Sequence, residues 1–223
     1  MKNLKIFVTD SALKYDFIAQ LDNPSNTHSI QLSFVPEGSY VLDVGCHSGI
    51  FAEALRIRKN ARVVGIDTDT AALVTARTRM SDAKNLDIEV SGWEDILSKQ
   101  GWREFDAIVF GDVLEHTRDP ESILAAAKKL LKRDGRIVVS IPNVAHWRVR
   151  FGLLFGKFQY AASGILDKTH LRFYTKQSAR ELIEQSGYTI ITSDVAGYSL
   201  PHRMLRFFPS LLAVQFVFAA TSK

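Results

Sequence analysis

The chain has 223 residues, of which 46% are hydrophobic and 23% charged, a composition typical of a folded globular protein and unlike a disordered or fibrous chain. Its 28 basic and 24 acidic residues leave a net charge of +4, too small an excess to require a nucleic-acid partner. Cys46 is the single cysteine, so no intrachain disulfide and no Cys-rich zinc cage can form. We expect a cytoplasmic protein without a bound metal, and without a membrane span because no apolar run reaches about 20 residues.

Short β-branched runs alternate with helical patterns along the chain, which predicts repeated βαβ units and a parallel sheet. The predicted strands are 40–44, 62–66, 86–90, 105–110, 135–141, 188–195 and 213–220. The predicted helices are 50–59, 70–80, 94–99, 120–132 and 176–186, with two more near 11–21 and 27–35. No clear helix separates the last two strands, so the seventh strand is expected to run antiparallel to its neighbour.

Residues 142–175 form an unusually long connection, because connections in compact domains have a median of about 4 to 6 residues. The segment is rich in aromatic and basic side chains, which argues against disorder. We interpret it as an insertion that covers a substrate site. The domain prediction is therefore one unit, 1–223, with an N-terminal helical region at 1–39 and the insertion at 142–175.

The loop after the first strand carries the clearest ligand signal. Gly45 and Gly49 bracket the turn into the next helix, and Asp67 ends the second strand, about 20 residues later, where a carboxylate can bind a cofactor ribose. The dinucleotide fingerprint GxGxxG is not matched, because His47 stands in the place of its second glycine. A nucleoside ligand without a pyrophosphate is therefore favoured.

Four segments, VLDVGCHSG, VVGIDTDTAAL, FDAIVFGDVLEH and LLKRDGRIVVSIPN, resemble in order the motifs of class I S-adenosylmethionine-dependent methyltransferases. The resemblance covers residues 38–142, and the two terminal strands agree with the antiparallel seventh strand of that family. It implies an α/β fold with a Rossmann-like, doubly wound, seven-stranded sheet that is mostly parallel with an antiparallel last strand. It also implies S-adenosylmethionine as cofactor and S-adenosylhomocysteine as product.

By the same resemblance, the cofactor site lies at the ends of the first four strands. Asp67 is expected to hold the ribose, and Glu94 or Trp93 to contact the adenine. Two positions depart from the family pattern: His47 replaces the middle glycine of its GxGxG, and Trp93 stands where an acidic residue is frequent. The expected cofactor-binding residues are Asp43, Gly45, Cys46, His47, Gly49, Asp67, Thr68, Gly92, Trp93, Glu94, Asp112 and Val113.

Methyl transfer to a hydroxyl needs a positioned acceptor and a group that removes its proton. In GILDKTHLRFYT, His170 is the candidate base and Asp167 a candidate to orient it, although a structural role for His170 in the insertion competes. The candidate substrate-binding residues are His146, Arg148, Tyr160 and Arg172.

The acceptor class follows from two further resemblances. The insertion and the ending FFPSLLAVQFVFAA are similar to methyltransferases found with bacterial glycan and surface-polysaccharide biosynthesis, and the core is similar to ubiquinone-biosynthesis O-methyltransferases. Both imply an oxygen acceptor on a small molecule or a glycan precursor. Neither resemblance identifies the acceptor molecule.

Three other functions stay open on the sequence alone. A nicotinamide-dependent oxidoreductase is disfavoured by the missing glycine and the antiparallel ending. A nucleic-acid methyltransferase is suggested by basic residues in the insertion, but GDVLEH replaces the Asn/Asp-Pro-Pro-Tyr-type motif of base-methylating relatives. A binding domain that keeps the fold without catalysis is the third.

Overall fold

The structure is a computed structural model that describes residues 21–197 and 201–223. The helix expected near 11–21 lies almost wholly outside these residues, whereas the one near 27–35 is confirmed. The strands are β1 Tyr40–Val44, β2 Arg62–Asp67, β3 Asp82–Asn85, β4 Phe105–Gly111, β5 Leu131–Pro142, β6 Tyr188–Ala196 and β7 Gln215–Ser222. The helices are α1 Thr27–Phe34, α2 Ile50–Lys59, α3 Thr70–Arg79, α4 Trp93–Lys99, α5 Pro120–Ala127, α6 Trp147–Leu154, α7 Lys176–Gln185, α8 His202–Phe207 and α9 Pro209–Leu212.

The strands form one seven-stranded sheet in the order β3-β2-β1-β4-β5-β7-β6. The first five pair in parallel, and β7 pairs antiparallel with both β5 and β6. This confirms the expected mixed sheet, because β7 enters between two strands without a long crossover helix. The strand order reverses between β1 and β4, which is where ligands bind in open α/β sheets.

Apolar side chains cover both faces of the sheet. One core cluster contains Leu97, Leu124 and Ile183 from α4, α5 and α7. The other contains Leu55 and Leu73 from α2 and α3, together with residues of α1. Helices therefore cover both faces, as a parallel sheet with central strands buried on both sides requires.

The third strand was predicted too far along the chain. Strand β3 spans Asp82–Asn85 and pairs only with β2, ending opposite Asp67 where β2 itself ends. The predicted segment 86–90 is a loop, in which the Asp87 carboxylate accepts a hydrogen bond from the Glu89 backbone N–H. Within this loop Ile88 is buried and Leu86 half-buried, whereas Val90 is exposed. The alternation of apolar residues therefore did not mark a strand there.

The helix predicted at 120–132 is shorter than expected. Asp119 caps its start by accepting from the Ser122 N–H, and Pro120 lies in the first turn. The α-helix ends at Ala127, one 3₁₀ turn follows, and β5 begins at Leu131. Residues 131 and 132, which local propensity assigned to the helix, therefore belong to β5, because β5 pairs with β4 from Leu131 onward.

Two short helices, α8 and α9, occupy the segment before β7, where the sequence showed no clear helix. The insertion is not an extended loop, because it contains α6 and its ends are joined. The Val144 N–H donates to the Tyr174 carbonyl at 2.9 Å. Within the described residues, no helix is long and apolar enough to cross a membrane.

Gly49 provides a direct test of the packing between the first loop and α3. Its φ of +75° and the 3.1 Å between an added Cβ and the Ala76 Cα predict that Gly49→Ala loses about 2 to 4 kcal/mol of unfolding free energy. Gly38→Ala is the matched control, because Gly38 has a φ of +69° with open space around it and is expected to lose only about 1 kcal/mol. Urea unfolding measures both, and equal losses would contradict the steric argument.

Candidate active site

A cavity of about 490 Å³ lies at the carboxyl ends of β1, β2 and β4, where the strand order reverses. This central cavity is lined by the β1–α2 loop, the end of β2, residues 86–89 and the β4 loop. Its volume is in the range of small-molecule sites. Gly45, His47, Asp67, Thr68, Asp112 and Val113 all line it, as expected from the sequence.

The Asp67 carboxylate organises the entrance of this cavity. Its Oδ2 accepts from the His47 N–H at 2.7 Å, and its Oδ1 accepts from the Asp69 N–H at 2.8 Å. His47 has a φ of +44°, so the histidine in the middle of the loop adopts a left-handed conformation that glycine usually provides. Asp67 therefore fixes the β1–α2 loop and still faces the cavity.

The charge of the central cavity decides which cofactor it suits. Its lining includes four carboxylates, Asp67, Asp87, Glu89 and Asp112, and no Lys or Arg among the described residues. Such a site disfavours the negatively charged pyrophosphate of a dinucleotide and suits a cationic ligand. The apolar side chains of Leu86, Ile88 and Val113 lie in the same lining and can pack against a flat aromatic ring.

Asp43 and Cys46 lie beside this cavity, on a smaller cavity of about 270 Å³ that shares Gly45 and His47 with it. Burial, and secondarily the neighbouring Asp67 carboxylate, raise the pKa of Asp43 to about 7. Burial raises the pKa of the Cys46 thiol above its usual range, which leaves it a small buried side chain without nucleophilic character. Gly49 begins α2 in a left-handed conformation and lines neither cavity.

Asp112 is held by a hydrogen-bond network from distant elements. Its Oδ1 accepts from the Ser140 hydroxyl at 2.6 Å and from the Gln215 amide at 2.8 Å. The Gln31 amide donates to Ser140, and the Thr27 hydroxyl donates to Gln215. The network supports the left-handed backbone of Asp112, whose φ is +54°, a conformation that needs such support in a non-glycine residue.

Gly92, Trp93 and Glu94 lie outside the central cavity, contrary to their expected place. They line a neighbouring side cavity, where Trp93 is 2% exposed and Glu94 accepts from the Lys129 ammonium at 2.8 Å. The reason is the position of β3: since the strand ends at Asn85, residues 86–89 reach the central cavity first. A prediction that placed the end of β3 at Asn85 would have identified residues 86–89 as cavity residues.

A further cavity of about 300 Å³, the insertion cavity, lies beneath Gly164, Ile165, Asp167 and His170. It shares Asp112 and His116 with the central cavity. Glu115 also lines it and is 1% exposed, and burial together with the Asp112 charge raises its pKa well above the usual range. Glu115, His116 and His170 each place one donor atom within 4.8 Å of the others.

The expected orientation of His170 by Asp167 is not formed. Asp167 Oδ1 accepts from the N–H and hydroxyl of Thr169 at 2.8 and 2.7 Å, because a short acidic side chain in a tight turn bonds its own backbone. His170 Nδ1 instead lies 3.2 Å from the Ile165 carbonyl. Burial lowers the pKa of His170, so its ring is neutral near pH 7 with a free Nε2 lone pair.

The four expected substrate-binding residues line neither the central nor the insertion cavity. His146 caps α6 by accepting from the Arg148 N–H, and the Arg148 guanidinium lies over the Trp147 ring. Tyr160 packs against Phe158 and Phe173. The Arg172 guanidinium donates to the Arg118 carbonyl and lies 3.9 Å from the Glu121 carboxylate.

Sequence reasoning missed two groups of cavity residues. The first is residues 86–89, hidden by the misplaced strand. The second is Glu115 with His116, because a buried glutamate beside a histidine in DVLEH indicates a support for the loop as readily as a site. In the structure, the ring centroid of His170 lies 4.8 Å from that of His116. This contact identifies Glu115 and His116 as part of a cluster that the sequence did not reveal.

The buried Asp43 carboxylate predicts a pH dependence of stability. Its pKa of about 7 exceeds the ordinary value near 4, so its contribution is fully present below pH 4 and is lost as the pH rises through 7, by at most about 4 kcal/mol. Asp43→Asn removes this titration, and its unfolding free energy is expected to rise relative to wild type between pH 4.5 and 7.5. Urea unfolding across that range measures the difference.

The control for Asp43→Asn is Asp69→Asn, since Asp69 is an exposed carboxylate that caps α3 and asparagine caps equally well. A constant difference between Asp43→Asn and wild type over the whole pH range would contradict the buried titration.

Comparison with solved structures shows the same fold in methyltransferases. A possible histamine N-methyltransferase from Thermotoga maritima superposes with a TM-score of 0.63 and 14% identity, covering 96% of both chains. The magnesium protoporphyrin IX methyltransferase from Synechocystis with bound S-adenosylhomocysteine gives a TM-score of 0.61 and 14% identity, covering 97% of this chain and 89% of the other. At these identities the likeness concerns the fold.

Curated relatives are more similar in sequence over a shorter range. A ubiquinone biosynthesis O-methyltransferase from Xylella fastidiosa is 37% identical over 122 residues, 54% of this chain and 49% of the relative. One from Thiobacillus denitrificans is 39% identical over 107 residues, 48% of this chain and 45% of the relative. The chain thus spans about half the length of the curated relatives it matches.

The methyltransferase-domain family model matches residues 9–193, which is most of the chain. This match, the mixed seven-stranded sheet and the acidic cavity at the strand switch point agree with one another. The chain therefore belongs to the methyltransferase-domain family, within the class I S-adenosylmethionine-dependent methyltransferases.

Proposed function

We propose that the protein transfers a methyl group from S-adenosylmethionine to a hydroxyl oxygen of a small molecule or glycan precursor. The observation that supports this most is the pair of adjoining cavities. The central cavity suits the cofactor, and the insertion cavity beside it shares Asp112 and His116. An acceptor in the insertion cavity would therefore lie beside a cofactor in the central one.

The residues present fit the proposed cofactor. Asp67 would accept hydrogen bonds from the ribose hydroxyls, Leu86 and Ile88 would pack against the adenine, and Asp43 and Gly45 would lie under the methionine part. The acidic lining suits the sulfonium and ammonium charges of the ligand. Glu89, which accepts from the Arg118 N–H at 2.7 Å, takes the acidic position after the third strand that Glu94 was expected to fill.

When bound, S-adenosylmethionine supplies a methyl group on a sulfonium, which is an activated leaving group. Transfer forms one C–O bond and breaks one C–S bond, giving the methyl ether and S-adenosylhomocysteine, while the hydroxyl proton is lost. The protein's part is to align the acceptor oxygen, exclude water and promote loss of that proton. Glu115, His116 and His170 replace the expected Asp167–His170 pair as the groups that face the acceptor oxygen.

Oxygen as the acceptor atom draws support from the curated relatives, which are O-methyltransferases by name. The glycan acceptor rests only on the resemblance of the insertion and the C-terminal segment. Nucleic acid is disfavoured as an acceptor, because two basic side chains of the insertion donate hydrogen bonds to backbone carbonyls of the protein itself. Arg150 donates to the Ala145 carbonyl at 2.6 Å, and Arg172 donates to that of Arg118.

Cofactor binding is tested with Asp67→Asn. Hydrogen bonds to a charged acceptor contribute about 1.5 to 3 kcal/mol, so the variant is expected to bind S-adenosylhomocysteine about 10- to 100-fold more weakly by calorimetry. Asp69→Asn, which removes a neighbouring carboxylate outside the cavity lining, should bind like wild type. Equal affinities for the Asp67 variant and wild type, or tighter binding of NAD than of S-adenosylhomocysteine, would contradict the assignment.

The acceptor atom is tested with matched acceptors that differ only in carrying a hydroxyl or an amine on the same aromatic ring or sugar. Labelled S-adenosylmethionine is expected to give methyl ethers with one S-adenosylhomocysteine formed per product, measured by mass spectrometry. Methylation of the amines alone would refute oxygen as the acceptor. A protein that binds the cofactor but methylates neither acceptor set would favour a binding domain.

A further inference from the structure

Glu115 is the most unusual polar residue of the described fold. It lies in the 3₁₀ turn Leu114–His116 after β4, is 1% exposed, and neither of its carboxylate oxygens has a hydrogen-bond partner among the described residues. Burying an unpartnered carboxylate is strongly unfavourable. The neighbouring Asp112 on the same cavity is another acid, and the described lining of that cavity contains no Lys or Arg.

Two histidines belong to the same cluster. His116 Nδ1 lies 3.2 Å from the Thr169 carbonyl, and His170 Nδ1 lies 3.2 Å from the Ile165 carbonyl. The Thr169 hydroxyl is also 3.2 Å from His116 Nδ1 but donates to Asp167. Because a carbonyl oxygen only accepts, these contacts favour the tautomer with the proton on Nδ1 and a lone pair on Nε2. Metal-binding histidines are oriented in this way, with the second ring nitrogen donating to a backbone carbonyl.

The backbone holds the three residues together independently of their side chains. The Glu115 carbonyl accepts from the N–H groups of Leu171 and Arg172 at 2.8 and 3.1 Å. This fixes the insertion segment beside the β4 loop. One donor atom from each side chain lies within 4.8 Å of the others. Tetrahedral ligands at about 2.1 Å from one ion lie about 3.4 Å apart, so the donor atoms need to approach one another by at most about 1.4 Å.

We propose that Glu115, His116 and His170 form a binding site for a divalent transition-metal ion. Two imidazoles and one carboxylate suit Zn²⁺, Fe²⁺ or Co²⁺ better than Mg²⁺ or Ca²⁺, which prefer oxygen ligands. Three protein ligands leave coordination positions open, and the cluster lines the insertion cavity, which offers room for a further ligand. This proposal differs from the sequence prediction of no metal.

The role of the ion rests on the proposed function. A hydroxyl of the acceptor would occupy an open position, where the ion lowers the pKa of that hydroxyl by Lewis-acid polarisation. The proton leaves to solvent, and the oxygen keeps the electron pair that forms the C–O bond. With the ion bound, His170 is a ligand that positions the acceptor through the metal, and the direct base role expected for it is not needed.

The test uses the tag-free full chain, stripped with a chelator and titrated with Zn²⁺ by calorimetry and with Co²⁺ by visible absorption. Wild type is expected to bind one equivalent and to melt at a higher temperature with the ion. Glu115→Gln and His170→Gln should bind at least about tenfold more weakly. Glu121→Gln removes an exposed acid on α5 and His202→Gln a histidine on α8, and both should bind like wild type.

The metal-free melting temperature separates a ligand role from a structural one. Glu115→Gln removes a buried, unpartnered charge, so the stripped variant should be at least as stable as stripped wild type while losing the stabilisation by the ion. Wild type that binds no ion at one equivalent, or Glu115→Gln that binds as tightly as wild type, would overturn the proposal.

The two proposals fail separately. A chain that binds one ion at this cluster but transfers no methyl group to hydroxyls retains the metal site and loses the proposed function. A chain that methylates hydroxyls at an unchanged rate after chelation and binds no ion retains the function and loses the metal site.

Discussion

The parallel pairing of β1 with both β2 and β4 is the constraint on which the rest of the structure depends. It brings the carboxyl ends of three strands to one edge, while the connections from β1 and β4 leave toward opposite sides of the sheet. A crevice therefore opens between them, and the loops after these strands face it. The same cavity is lined by Asp67, at the end of β2, and by Asp112 and His116, which follow β4.

The charge of the cavity lining differs in sign from the net charge of the chain. The chain as a whole carries a net charge of +4, yet the described lining of the central cavity contains four acids and no Lys or Arg. Hydrogen bonds from Ser140 and Gln215 hold one of these acids, Asp112, in the lining. The cavity lining is therefore negatively charged although the whole chain is positively charged. For this reason the composition of the chain did not predict the charge of the ligand that the cavity suits.

The insertion is a structural partner of the β4 loop as well as a cover. Its two ends are joined by the hydrogen bond from Val144 to Tyr174, and its later part is fastened to the Glu115 carbonyl. These contacts place His170 beside His116 and bury Glu115 beneath them. The basic and aromatic residues of α6 line neither the central nor the insertion cavity, whereas His170, near the C-terminal end of the insertion, lines the insertion cavity.

The sequence by itself determined the order of strands and helices, the antiparallel last strand and most of the residues after β1, β2 and β4 that line the central cavity. These features depend on local periodicity and on short loops that follow buried strands, and both can be read from residues that are close together in the sequence. The tertiary structure alone decided where β3 ends, since its register is set by pairing with β2, and hence that Glu89 and not Glu94 lines the central cavity. It also decided that His170 joins His116 and Glu115 instead of Asp167, because that meeting is made by contacts between segments 53 residues apart, a distance over which no local pattern carries information.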